Sequence, residues 1–490
     1  MERLFRKVLI GGGITLLSMI IIKAMALVNS VIAARLLEPS DYGALSVVVN
    51  LQNLIVIVGC FGMPLALAKH TAEWKHKDPA TARLIASALI LLLLISSAVT
   101  AVVYLVLADV IAVGLYDNPN LVTVIRLSAI FVLVAAVNQG LVSILQGCQK
   151  ILTLAKINTL IAVAAQPLMY LFIVLFGLEG AIIAMFCSNL FSISVLVLTT
   201  RHVLPVSFAK ARRVFADKSR LRSLMSFSVP AFIATLVVVP AYWIGRTVLA
   251  LTWDFYSVGQ FQIAESISQL VHIIPAAISV PLLPLVSEQY SKNPLEVGQS
   301  TNSLLRIVVF FSLPISIIML PLVGYIIGVL YGSQYEDAYH SSLLMIASAT
   351  FVTVGSVISS VIIGSGRMWD ALGLNVVWLI AFLMMVLVLV SSNGSEGLAG
   401  AYLVSYAVYF FALILYFRKK FDARVSGICA FVVLYSVLVA LYMISMANGI
   451  TAQKLIFSVS SALTLGVVGY RFLLSKEERD VLSTTIKPHG

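Results

Sequence analysis

Apolar runs of about the length of a membrane-spanning helix follow one another along almost the whole chain. A helix needs about 20 apolar residues to cross a bilayer, and about fourteen runs reach that length. Only 11% of the 490 residues are charged, against about 25% in a soluble domain. A soluble protein could not bury this much apolar surface. The sequence therefore predicts an all-α polytopic membrane protein. Glycine-containing turns at 177–180 and 391–397 predict two tight helical hairpins.

Basic residues mark one side of the membrane. If the N-terminus is cytoplasmic, the loops on that side hold most of the lysines and arginines, and the opposite loops hold only Arg35 and Lys454. Cytoplasmic loops of membrane proteins carry this excess. We therefore expect a protein of the inner (cytoplasmic) membrane with both termini in the cytoplasm. The same pattern accounts for the net charge of +11, so we expect no nucleic-acid partner.

A weak internal repeat indicates two lobes. Residues 35–73 align with 251–288, with polar residues, glycine and proline at matching depth, and Gly43 falls on Gly259. Transporters are often built from such repeats, with the site between the halves. We expect four parts: a lobe at 1–200, a basic cytoplasmic linker at 201–223, a second six-helix lobe at 224–417, and a helix pair with a cytoplasmic tail at 418–490.

Two cations lie inside apolar runs, where a charge is costly and usually functional. Lys23 is near the middle of the first run, too deep to reach the interface easily, so we expect it to face a hydrated cavity. Arg246 lies nearer the outer end of the seventh run. Three interpretations of Arg246 stay open: snorkelling of its side chain to the interface, binding of a substrate anion, and pairing with Glu265. For Arg126 in the fourth run, snorkelling is the better interpretation.

Four polar residues of the eighth run are spaced by three, four and three, which places them on one face of a helix. They are Gln262, Glu265, Gln269 and His272. The pattern favours a cavity face over a hydrogen-bonded seam between packed helices. The remaining members of the candidate substrate-binding set are Lys23, Arg35, Asn50, Asn53 and Arg246. Candidate cavity walls, which could equally be packing residues, are Tyr242, Trp243, Asn375 and Trp378.

Nothing in the sequence indicates catalytic or metal chemistry. There is no P-loop, no metal-ligand spacing of His, Cys and Asp, and no CxxC among the four cysteines. We expect no catalytic residue, no metal, no cofactor and no enzymatic activity. A glycan polymerase or ligase would resemble proteins with a large external loop, and the external loops here are short.

The segment Ala33 to Gly43, AARLLEPSDYG, resembles the polysaccharide transporter family. That family includes the O-antigen-type flippases of the MOP flippase superfamily. The resemblance implies two six-helix lobes in a V shape. It also implies transport of a polyprenyl-diphosphate-linked oligosaccharide from the inner to the outer leaflet by alternating access, for cell-surface polysaccharide biosynthesis. It implies a cationic cavity, for which Lys23 and Arg246 lie on suitable helices, although the second run carries no charge.

Two other functions stay open. About fourteen runs resemble the lipid II flippases, and a MATE-like drug/cation antiporter would use a membrane acid, for which Glu265 is the candidate. The partners we expect are a lipid-linked oligosaccharide and membrane lipids, with H⁺ or Na⁺ open as a coupling ion. We expect the protein to be a monomer.

Overall fold

The protein is helical throughout the part that the computed structural model describes. The described residues are 2–74, 77–203, 228–229, 232–233, 235–272, 294–421, 426–445 and 451–474, and they contain no strand. This confirms the predicted all-α membrane fold class. Three predicted segments lie outside the described residues. They are most of the predicted linker, from residue 204 onward, the eighth run beyond His272, and the tail beyond residue 474.

The longer helices of the first half are α1 (Glu2–Leu36), α2 (Pro39–Cys60), α3 (Met63–Trp74), α4 (Pro79–Val106), α5 (Leu121–Gly147) and α6 (Ile151–Val203). Those that follow are α7 (Val239–Thr252), α8 (Phe255–Ser268), α9 (Pro294–Met319), α10 (Ala338–Gly364), α11 (Met368–Phe421), α12 (Ser426–Ser445) and α13 (Thr451–Val468). Shorter segments are π-helices at Val110–Leu115, Ile327–Tyr331 and Gly469–Leu473, 3-10 helices at Leu320–Leu322 and Ser333–Tyr335, and an α-turn at Val323–Ile326.

Ten helices among the described residues are long and apolar enough to span a bilayer. Two of them, α6 and α11, each contain two helices, joined at Gly177 and at Gly394. These are the glycine turns that the sequence predicts at 177–180 and 391–397. The prediction of two tight helical hairpins is thus confirmed.

Three of the predicted runs are interrupted. The second run breaks at Phe61 and Gly62, whose φ angles of 48° and 70° end α2 and start α3. The seventh run breaks in a turn at 237–238, before α7, and the eighth stops being α-helical after Ser268. The apolar pattern alone does not reveal these breaks, because a turn between two consecutive apolar helices leaves the hydrophobicity of the run unchanged.

Contacts group the chain into two compact units, residues 14–259 and residues 1–13 with 260–490. The division therefore falls inside α8 and not at the predicted linker. The physical reason lies in the first unit, where α7 packs against α2. The lobes predicted from the sequence stay a prediction.

The two halves of the chain repeat the same elements with a constant offset in numbering. Helices α5 and α10 each have 27 residues, so the offset between their first residues equals that between their last. The same offset separates the first residues of α6 and α11, and also those of the π-helices at Val110–Leu115 and Ile327–Tyr331. The internal repeat inferred from residues 35–73 therefore extends over at least these elements.

Candidate functional site

Arg246 is buried in the first unit. It lies on α7 with 1% of its surface exposed. Its Nε donates to Ser46 Oγ of α2 at 3.2 Å, and its NH1 group donates to the carbonyl oxygen of Tyr242 at 3.0 Å. A buried guanidinium is tolerated only when its donors are bonded. Snorkelling to the interface is therefore the wrong interpretation for this residue.

Tyr116 ties α7 to the segment between α4 and α5. Its hydroxyl lies 2.8 Å from Thr247 Oγ1 and accepts a hydrogen bond from Trp243 Nε1 at 3.0 Å. Its ring centroid is 5.9 Å from that of Phe255. Tyr116 and Thr247 were not among the predicted site residues, because a single tyrosine or threonine beside apolar residues forms no recognisable sequence pattern.

Lys23 and Arg35 lie on α1. Lys23 is half-buried within the candidate span Leu17–Leu36, whereas Arg35 is exposed in the last turn of the helix. The side chain of Lys23 is thus neither fully buried nor fully exposed, and its position beside a hydrated cavity stays a prediction. Arg35 is placed where an ordinary boundary charge would lie.

The amide residues of α2 are placed differently from one another. Asn50 is half-buried and donates to the carbonyl oxygen of Ser46 at 2.9 Å, and Asn53 is exposed. Gln52 was not predicted as a site residue, yet it is fully buried and neither amide atom has a hydrogen-bond partner. An unsatisfied buried amide is costly, so Gln52 is a position where a bound water or a second conformation would lower the free energy.

The four polar residues of the eighth run share a half-buried side. Gln262, Glu265, Gln269 and His272 are all half-buried, whereas Ile263, Ala264, Ile267 and Val271 between them are at most 2% exposed. The α-helix ends at Ser268, and bonds from the His272 amide to the Gln269 carbonyl and from Leu270 to Ile267 form tighter turns. The stripe thus continues through a break that the helical spacing did not anticipate.

The second unit contains an aromatic cluster that includes Trp378, one of the candidate cavity-wall residues. Trp378 is 2% exposed and stacks on Phe382 with ring centroids 5.2 Å apart. Asn375 is half-buried and accepts a hydrogen bond from Tyr409, whose hydroxyl also lies 2.9 Å from Ser359 Oγ. Trp378 is therefore a core residue, and Asn375 belongs to a hydrogen-bond network between helices.

Arg126 forms an ion pair. Its NH2 group lies 2.8 Å from Asp109 Oδ2, and both side chains are more than half exposed. Such exposed pairs contribute little, about 0–1 kcal/mol. Among the described residues no group of three or more His, Cys, Asp or Glu could hold a metal ion.

Residues 32–340 match the sequence model of the family described as "Polysaccharide biosynthesis protein". The chain is 24% identical over 377 residues to the lipid III flippases of Escherichia coli (strain K12) and Shigella flexneri, covering 75% of this chain and 88% of each relative.

Solved structures with a similar fold include two transporter types. One is the lipid II flippase MurJ in an inward closed conformation, with a TM-score of 0.72, 13% identity, and coverage of 93% of this chain and 98% of that one. Another is a mutant of the Vibrio cholerae MATE transporter VcmN, with a TM-score of 0.65, 16% identity, and coverage of 85% and 97%. The fold is therefore that of MOP-superfamily transporters.

Proposed function

Because the chain belongs to the polysaccharide biosynthesis protein family, we propose that it is a flippase for a polyprenyl-diphosphate-linked oligosaccharide. It carries this lipid from the inner to the outer leaflet of the cytoplasmic membrane, and both of its termini are cytoplasmic. The likeness to lipid III flippases over most of their length supports a lipid-linked substrate. The nature of the sugar is not part of the proposal.

The observation that carries the proposal is Lys23, a half-buried ammonium inside a candidate span. The diphosphate of a lipid-linked sugar is the part of the substrate that resists entry into a medium of low dielectric constant. A cation held at that depth offsets this cost by direct attraction. In this proposal Lys23 and Arg246 bind the diphosphate, and Asn50, Asn53 and the stripe of α8 contact the glycan.

Transport requires two conformations that expose this site to opposite leaflets in turn. A substrate biases such an equilibrium only by binding one conformation more tightly than the other. An opposite charge within about 4–6 Å favours the charged form of a lysine, whereas desolvation without one disfavours it. In this proposal the diphosphate binds more tightly to the conformation that holds Lys23 beside it, and this difference biases the equilibrium between the two conformations.

A cation antiporter is the second candidate, because Glu265 is a half-buried acid on α8. A carboxylate there would suit exchange of H⁺ or Na⁺ against a cationic substrate. A lipid II flippase is a third candidate and differs from the first in its sugar and not in its physical requirements. Both alternatives share the fold of the protein, so only a transport assay separates them.

The test exchanges Lys23 in a strain that depends on this protein for glycan export. Lys23→Met keeps the apolar stem and removes the charge, and we expect it to stop lipid-linked oligosaccharide from reaching the outer leaflet. Lys23→Arg keeps the charge with altered donor geometry and retains part of the activity. Lys150→Met, at an exposed basic residue, is the matched control and exports normally.

Normal export by Lys23→Met would show that the charge is not used. The purified protein in vesicles then decides the substrate class, using a fluorescent lipid-linked oligosaccharide, lipid II and a cationic dye in parallel. Movement of the dye alone, abolished by Glu265→Gln, would establish the antiporter instead.

A further inference from the structure

Three polar side chains of the second unit form a directed chain of hydrogen bonds. Tyr409, on the second helix of α11, donates to Asn375 Oδ1 on the first helix at 3.0 Å. The tyrosine hydroxyl has only one proton, so Ser359 of α10, whose Oγ lies 2.9 Å away, is the donor in the other bond. The chain therefore runs from Ser359 to Tyr409 to Asn375.

Both ends of this chain keep hydrogen-bonding capacity. The Asn375 amide is held by its oxygen, and its NH2 group donates to none of the residues that the structure describes. Ser359 gives its proton to Tyr409, and its oxygen can still accept a bond. Asn375 and Ser359 are both half-buried. The chain thus presents two donors at one end and an acceptor at the other, and an NH2 group suits an oxygen atom and cannot ligate a cation.

These groups lie within membrane-spanning helices. Asn375 is about 10 Å along α11 from Met368, and Ser359 belongs to the candidate span Ala338–Gly364. Lipid tails satisfy no donor at such a depth. Polar residues there face protein or a hydrated cavity and usually serve a function.

The first half of the chain builds the same helices without this hydrogen-bond chain. The constant offset in numbering places Val142 and Ser192 at the positions of Ser359 and Tyr409, although the amide itself recurs as Asn158. Valine has no hydrogen-bonding group, so the chain cannot form there. Helices α5 and α6 nevertheless pack together as α10 and α11 do. The fold therefore does not require the chain, and its presence in one half alone indicates a function.

An aromatic ring lies beside the chain. Tyr406 is half-buried and precedes Tyr409 by three residues, which places both on one face of the helix. Its ring centroid is 5.3 Å from that of Trp378 and 6.1 Å from that of Tyr402. These contacts hold the ring in place, and the face of an aromatic ring attracts the partly positive hydrogens of C–H groups. A fixed ring next to fixed donors suits a ligand that is polar at its edges and apolar on its faces, as a sugar ring is.

We propose that Ser359, Asn375, Tyr406 and Tyr409 form a sugar-binding surface, the Asn375 surface. A sugar hydroxyl both donates and accepts, so sugar hydroxyls bond the Asn375 NH2 group and the Ser359 oxygen while a sugar ring packs on Tyr406. A site built to bond a hydroxyl strongly rejects a ligand that lacks it, so this surface recognises the glycan and not the lipid. The inference rests on the proposed function, in which the transported lipid carries a glycan, and adds a glycan contact in the second unit.

The test compares the binding of two lipids to the purified protein in nanodiscs. One is the polyprenyl-diphosphate-linked oligosaccharide extracted from the cells that make this protein, and the other is polyprenyl diphosphate without sugar. The parent binds the first more tightly. Asn375→Leu removes both donors, and we expect it to weaken binding of the oligosaccharide lipid about tenfold, which corresponds to about 1.4 kcal/mol. Binding of the lipid without sugar stays at the parent value.

Ser341→Ala is the matched control. The bond of 3.0 Å between Ser341 and Ser395 also joins α10 to α11, and it lies outside the Asn375 surface. This variant leaves both affinities at the parent values. If leucine prevents folding, Asn375→Asp serves instead, because it keeps an oxygen for Tyr409 and removes the NH2 donors, and it shows the same selective loss.

Equal losses for the two lipids in the Asn375 variants would assign the chain to packing and overturn the inference, and so would unchanged binding of both. A parent that binds the two lipids equally well would also overturn it, while the proposed function would stand. A parent that binds neither lipid would refute the proposed function itself, and the Asn375 surface with it.

Discussion

Gly177 and Gly394 adopt nearly the same backbone conformation, each inside its own helical hairpin. Their φ and ψ angles are 55° and −131°, and 53° and −127°. A Cβ on Gly180 would lie 1.8 Å from the Phe172 carbonyl oxygen. In the second hairpin Gly397 meets the Leu389 carbonyl in the same way, at 2.1 Å. The same two-glycine turn therefore reverses the chain once in each half.

Alanine at the first glycine of either hairpin should destabilise the protein. Gly177 and Gly394 have positive φ and a ψ that side chains rarely adopt, and such strain costs on the order of 1–3 kcal/mol. We expect Gly177→Ala and Gly394→Ala to lower the apparent melting temperature of the purified protein. The control is Gly373→Ala in α11, where a Cβ would meet no atom within 4 Å, and it should not lower that temperature. Equal melting temperatures for all three would mean that the turns relax.

The topology can be tested at the ends of helices in both halves. Cysteines replacing the exposed residues Asp117 and Glu336 should react with an impermeant thiol reagent added to intact cells. Cysteines replacing Lys150 and Lys420 should react only after the membrane is permeabilised. Helix α5 has 27 residues and is about 40 Å long, which separates Asp117 from Lys150 by a bilayer. The opposite labelling pattern would reverse the orientation.

The polar stripe that begins on α8 should be accessible to water. Cysteines at Gln262 and Glu265 are expected to react with small water-soluble thiol reagents, because both positions are half-buried. Cysteines at Ile263 and Ile267, which are fully buried, should react far more slowly. Equal rates around the helix would assign the stripe to packing and remove it from the substrate-binding set.

Ser46→Ala removes an acceptor from a buried charge. The Nε group of Arg246 would lose its partner on α2, and hydrogen bonds to charged groups contribute about 1.5–3 kcal/mol. We expect a lower melting temperature for Ser46→Ala than for Ser194→Ala, a control at an exposed serine that bonds only within its own helix. Matching temperatures for the two variants would mean that another group replaces the serine.

His70 should make stability depend on pH. Burial, and then the nearby Lys69, lower the pKa of His70 below its ordinary value of 6.5, against the opposing effect of Glu73. The unfolded chain then binds the proton more tightly than the folded protein. Stability is therefore constant above about pH 6.5 and falls as the pH drops below that value. A melting series from pH 7.5 to about 5 should show this slope.

The slope should become shallower in His70→Gln and persist in His340→Gln, a control at an exposed histidine. A parent protein whose melting temperature stays flat across the range would contradict the effect.

Helix positions could be predicted because hydrophobic length and glycine turns decide them locally. The hairpins at 177–180 and 391–397 were identified in this way, and so was the alignment of Gly43 with Gly259. The predicted cations Lys23 and Arg246 lie on helices, as expected, and so do Gln262 and Glu265 of the stripe. Gln269 and His272 lie in the turns that follow α8, and the roles of all these residues stay predictions. Local sequence patterns indicate which residues share a face of a helix, because that follows from helical spacing alone.

Three features could not be predicted, for a common reason. Each of them depends on which helices are neighbours. They are the break after Ser268, the burial of Arg246 against Ser46, and the contacts of Tyr116. Residues 46 and 246 are far apart in sequence, and no spacing rule connects them. The grouping of α7 with α2 follows from the same long-range contact, which is why the compact units divide inside α8.

Helices α2 and α8 meet so closely that a Cβ on Gly43 would lie 1.7 Å from the Phe255 carbonyl oxygen, and this contact has an entropic consequence. A joint made from long side chains must immobilise them, at about 1.5–2 kcal/mol of conformational entropy for each Lys, Arg or Met. Gly43 and Gly259 have no side chain to immobilise, and the helices already hold their backbones. The contact between α2 and α8 therefore forms with little loss of conformational entropy beyond that already fixed by the two helices.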